Sequence, residues 1–228
     1  MINLINHLPT VAFWGVAFTF LSRHLYKNVP MPGKIAKIED SKHRSVLYWE
    51  YITNLCSIIH AITSFAWGHY IMMKYGARNA APNLDSENGL LAFSLGYFLM
   101  DSVFGYIYKY NDKVMNMHHA ETVISLIYGL VKNRYGNSMV WALWLAEMSN
   151  PFNLIRKNLE MHEGKEKSSF WFGIAFCIVF VYTRTYWVGF FLAPMQESTS
   201  SLFLKMHGGL ICDFTRAHLF VLVLRYFQ

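Results

Sequence analysis

The residues best suited to chemistry in this 228-residue chain are a histidine doublet, His118-His119, and the Ala120-Glu121-Thr122 that follows it. Neighbouring residues on a helix point about 100° apart, so the two imidazoles cannot share a face. Thr122 lies four residues after His118 and three after His119, within reach of either. A neutral imidazole in a low-dielectric site can act as general base toward a hydroxyl or amine, or as the nucleophile of an acyl transfer. Two metal-binding histidines on one helix would instead stand three or four apart, or come with cysteines in register. Haem ligation, with His60 or His207 as a partner, is specified by no spacing. The doublet therefore reads as catalytic or positional, and no metal or cofactor is expected.

Further ionisable groups lie within apolar sequence: Glu50, Asp101, Glu121, Glu147, Arg184, Asp213 and Arg216, with His60, His69, His207 and His218. A charged side chain at the centre of a bilayer costs roughly 2.5–3.5 kcal/mol, so such groups face a bundle interior and find partners. For Asp101, Glu147 and Arg184 two readings stay open, a functional polar cavity or a structural salt bridge. Asp213 and Arg216, three apart, read as a self-neutralising pair. Glu50, Asn54, Ser57, Ala61, Ser64 and Gly68 fall at alternating spacings of four and three, and Ser94, Tyr97, Asp101, Gly105 and Tyr108 repeat the pattern. Helix packing accounts for the small members of both stripes, and together the stripes predict two helices turned toward a common polar interior.

The elements that must carry these groups are membrane helices. Apolar residues make up 54% of the chain and charged ones 15%, against about 25% charged in an average soluble domain. A net charge of +6 spread over short loops forms no basic stripe, which argues against nucleic acid as a partner. Windows long enough to span predict about seven helices, near 8–26, 45–73, 89–108, 115–131, 136–155, 169–193 and 206–227. The fourth window is short, and the fifth and seventh are polar enough for tilted or interfacial helices. Loop lysines and arginines sort 13 to 5 between the two sides, with Arg184 and Arg216 inside helices completing the 20. That asymmetry predicts an odd number of spans with the carboxyl terminus on the basic side. It requires the 27–44 loop and the 156–167 loop to share a face. Cys56, Cys177 and Cys212 lie far apart in apolar stretches and read as small apolar residues rather than a disulfide framework. The first apolar segment lacks the features of a cleaved signal and is expected to be retained.

Four motifs in order give the sequence a family resemblance. Gly96-Tyr97-Phe98-Leu99-Met100-Asp101, His118-His119-Ala120-Glu121-Thr122, Glu147-Met148-Ser149-Asn150-Pro151-Phe152 with Arg156 downstream, and Tyr182-Thr183-Arg184 with Pro194 beyond it resemble the motifs of the TLC-domain family. That family of multi-pass membrane proteins includes ceramide synthases and translocon-associated proteins. The resemblance implies an all-α, polytopic transmembrane bundle of about six to seven helices around a polar, lipid-accessible cavity. It is closer to the small TLC-domain proteins than to ceramide synthases. The stretch before the doublet keeps Met115 but has no acid immediately ahead of the histidines, and Glu147 stands alone where that branch carries paired aspartates. The implied organisation is a first helix with a basic loop over 1–44, a TLC-like bundle over 45–195 and a polar helix over 196–228.

The resemblance implies His118, His119 and Asp101 as the catalytic candidates. Thr122, Glu147, Asn150, Arg184, Tyr97 and Glu50 are expected to line a lipid cavity. The leading expectation is a protein that holds an acyl chain, sphingolipid or phospholipid, with His-dependent acyl transfer from a donor such as acyl-CoA as its chemistry. The competing expectation is a non-catalytic subunit of a multisubunit membrane complex. Lys205, Asp213, Arg216 and Arg225 among the aromatics of the last segment favour such protein contacts. The family points to the endoplasmic reticulum, whereas a short basic chain equally suits the mitochondrial inner membrane.

Overall fold

A computed structural model describes residues 2–76, 78 and 81–183. The described residues are all-helical: α1 (Ile2–Asn28), α2 (Gly33–Ala36), α3 (Ser41–Tyr75), α4 (Asp85–Tyr108), α5 (Lys113–Lys132), α6 (Gly136–Glu160) and α7 (Glu166–Val181). The chain divides into two compact units, Met1–Phe176 and Cys177–Gln228. In the second, the described part is the end of α7 and a turn in which the Thr183 hydroxyl donates to the Phe180 carbonyl. The predicted span at 206–227, the polar helix over 196–228, Arg184 and the Asp213–Arg216 pair lie outside the described residues.

The windows read from hydropathy coincide with α1 and α3 through α6, each extended by a few polar residues. The 27 residues of α1 and 35 of α3 correspond to about 40 and 52 Å at 1.5 Å per residue. Both exceed a hydrocarbon core of about 30 Å. The short α2 was not foreseen: it follows Pro32, whose fixed φ suits a helix start. Asp40 caps α3 by accepting from the Lys42 amide at 2.9 Å, and Asp112 caps α5 through the Met115 amide at 2.8 Å.

Within the first unit α4 is the central element, packed on α1, α3, α5 and α6, while α3 runs along α6. Small residues let α1 and α4 approach closely. A Cβ on Gly96 would stand 2.6 Å from the Val11 carbonyl and 2.9 Å from the Gly15 amide. The inner face of α1 supplies Val11, Phe18 and Ser22, all buried. Its outer face presents Ile5, Leu8, Phe13, Val16 and Phe20. On α4, Leu99, Val103, Tyr106 and Ile107 are exposed while Ser94, Tyr97 and Asp101 are buried. Large apolar side chains outside, around a core that carries buried ionisable groups, fit a lipid surround. Among the described helices α4 alone is long and apolar enough to span by those two criteria.

Both ends of the unit are tied. At the basic end Lys34 pairs with Glu166 at 2.8 Å and Lys37 with Glu163 at 2.6 Å. These pairs bring the two long basic loops to one face, as the charge asymmetry required. At the other end Asn83 donates to Asn88 and to the Gly129 carbonyl and accepts from the Gly136 amide at 2.7 Å. Asn137 adds bonds to the Gly76 carbonyl and Glu87. Asparagine side chains thus stitch the α3–α4 loop to the turn between α5 and α6.

Candidate functional site

The two stripes meet as the spacing predicted. Tyr97 of α4 donates to Ser57 of α3 at 2.6 Å. His60 lies within hydrogen-bond distance of Ser94 at 3.2 Å and Ser64 at 3.1 Å. His60 itself stands three residues after Ser57 and four before Ser64, in register with the α3 stripe. Its ring stacks on Tyr97 at 3.9 Å between centroids, with Phe93 beside it. Its Nδ1 is 3.7 Å from Oε1 of Glu147, the two side chains being 1% and 4% exposed. The other oxygen of Glu147 accepts from Asn150 at 2.9 Å. Pro151, with no amide hydrogen, cannot bond the Glu147 carbonyl four residues back. The Glu-x-Ser-x-Pro stretch therefore places a buried carboxylate where α6 loses a backbone bond.

A second histidine–carboxylate pair joins α4 to α5. His119 is buried with its Nδ1 3.4 Å from Oδ2 of Asp101. Oδ1 of Asp101 accepts from the Tyr110 hydroxyl at 2.9 Å. Tyr110 comes from the loop after α4 and fixes the carboxylate from the basic end. The imidazole edge meets Phe98 at 5.6 Å between centroids. His119 Nδ1 is buried without a hydrogen bond among the described residues, so Asp101 holds it at ion-pair distance only. Buried polar groups are normally hydrogen-bonded. Carboxylate contacts of this kind tighten when a reacting group draws a proton onto the ring.

The remaining candidates divide by position. His118 is on the exposed side of α5, its ring centroid 5.9 Å from that of His119. The Thr122 hydroxyl donates to the His118 backbone carbonyl at 2.9 Å rather than to either ring; for a helical threonine the carbonyl one turn back is the nearest acceptor. Glu50 is half-buried near the basic end, 4.0 Å from the Lys157 ammonium and apart from both histidine pairs. Arg184 lies outside the described residues. Among the described residues no three histidine, cysteine or acidic side chains gather as a metal set.

An all-helical bundle with an apolar exterior and histidine–carboxylate pairs in its interior defines a polytopic membrane protein with a polar core. A family model described as the TLC domain matches residues 50–226. The chain belongs to the TLC-domain family, and is thereby a membrane protein of a lipid-related family.

Proposed function

We propose that this protein binds an acyl-bearing lipid against the interior of its bundle and transfers the acyl group with His119 as general base. The observation that carries the reading is the buried His119–Asp101 pair with Tyr110 on the far oxygen of the carboxylate. In this arrangement Nδ1 faces Asp101 and Nε2 is left to take the proton of an acceptor hydroxyl or amine. The acceptor oxygen or nitrogen attacks the acyl carbonyl, and the proton returns from the imidazolium to the leaving group. Asp101 stabilises the imidazolium while it exists, the role a carboxylate plays beside any basic histidine. His118, one residue away on the exposed side of α5, lies toward the lipid and serves substrate approach.

The full-length protein in lipid nanodiscs, supplied with labelled acyl-CoA and a panel of hydroxyl and amine lipids, is expected to yield a labelled product. His119→Ala and Asp101→Asn are expected to lower its rate by ~100-fold or more, the usual contribution of a general base. His118→Ala is expected to raise the substrate concentration needed more than it lowers the maximal rate. Unchanged rates in both His119→Ala and Asp101→Asn would remove the acyl-transfer reading. No product from any acceptor, together with stoichiometric co-purification with other subunits in mild detergent, would replace it with that of a structural subunit.

A further inference from the structure

We infer that the basic end of the bundle holds a seat for the phosphate headgroup of an acidic phospholipid, built by the start of α3 and the end of α4. A cavity of about 320 Å³ opens there, lined by Lys42, Ser45, Val46, Ile107, Tyr108 and Lys109. Its lining includes two lysines and two hydroxyl-bearing side chains, Ser45 and Tyr108, donors of the kind that match a phosphodiester anion. Among the described residues neither lysine is in an ion pair, whereas Lys34, Lys37 and Lys157 of the same end are. Tyr108 is held in place by stacking on Trp49, 4.0 Å between centroids. Lys109 takes a left-handed conformation at the C-cap of α4, which turns the chain from the helix toward the cavity rim.

The apolar part of the lining decides for a lipid over a free anion. Val46 and Ile107 line the cavity, and Ile107 continues along α4 into the likewise exposed Val103 and Leu99. Those side chains fall at four-residue spacings and make a strip running away from the headgroup seat, the path an acyl chain would take. The carboxylates of Asp40 and Asp112 are occupied as the N-caps of α3 and α5, and Glu39, three residues before Lys42, is exposed. Arg44 is directed at the Ile38 carbonyl. Neither Lys42 nor Lys109 belongs to the histidine–carboxylate pairs, so this seat stands whether or not acyl transfer does.

The test uses the full-length protein in nanodiscs of phosphatidylcholine doped with fluorescent phosphatidylglycerol, read by energy transfer from the native tryptophans. Neutral variants Lys42→Gln and Lys109→Asn are chosen because glutamine suits a helix and asparagine tolerates the left-handed backbone. Each is expected to weaken phosphatidylglycerol enrichment by about fivefold. The double control Lys165→Gln with Lys167→Gln, which removes two charges from the same face, is expected to leave it within twofold. Equal losses in the control pair would reduce the effect to general surface charge and overturn the seat. So would equal enrichment of labelled phosphatidylcholine. Inorganic phosphate is expected not to displace the labelled lipid; displacement would show a free-anion site and overturn the lipid assignment.

Discussion

His119 and Asp101 form a buried pair, Nδ1 3.4 Å from Oδ2, which the acyl-transfer reading uses as one unit. Tyr110 holds the far carboxylate oxygen, so Tyr110→Phe should lower the single-turnover acyl-transfer rate by about fivefold, the worth of one ordinary hydrogen bond, with little change in substrate binding. His60 is the residue whose role emerged only in three dimensions. Its partner Ser64 stands one turn away on the same helix, yet its contacts with Ser94 and Glu147 join positions 34 and 87 residues apart, distances no helical period encodes. Replacing His60 by leucine keeps the volume but strips Ser64, Ser94 and Glu147 of a shared partner. The expected cost is ~1–3 kcal/mol, read as a lower unfolding temperature in detergent, with Glu147→Gln recovering part of it because a neutral amide is less costly to bury.

At the scale of elements, the contact of α1 with α4 turns on glycine. Gly96→Ala would drive a methyl group against the Val11 carbonyl and the Trp14 side chain. Overpacking of that kind costs about 1–3 kcal/mol, and thermal unfolding should show it. Gly15→Ala on the facing helix is expected to cost far less, since its Cβ would meet its nearest neighbour, the Gly96 carbonyl, at 3.4 Å. Helix positions were readable from sequence because apolar runs and loop formers set them locally. The pairing of helices was not: small residues mark surfaces that can approach closely, but many helices carry them, and shape complementarity selects the partner. The short α2 escaped because four residues between prolines and lysines show no hydropathy period.

At the scale of the whole molecule, the tied ends make a topology that can be probed from outside. Single cysteines at Lys37, Lys109 and Glu163 should react with an impermeant thiol reagent from one side of a sealed vesicle, and cysteines at Asp85 and Arg134 from the other. Labelling of Lys37 and Glu163 positions from opposite sides would break the assignment. Lys34 holds the Glu166 carboxyl below its usual range through a direct hydrogen bond. A carboxylate depressed in the folded state adds stability above its unfolded value and loses it as pH falls through the folded one. Unfolding temperature should therefore decline slightly on acidification through and below the carboxylate range. Lys34→Gln should flatten that decline, a small effect for an exposed pair. The sequence by itself determined the all-helical membrane class, the sidedness of the basic loops and the polar stripes, because each follows from composition or from one helix's own period. Only the tertiary structure decided that His119 rather than His118 meets Asp101, that Glu147 meets His60, and that Lys42 and Lys109 share a cavity. Those facts depend on how separate helices rotate and cross when they bury their polar faces against one another, and that outcome is set by the packing of all of them together.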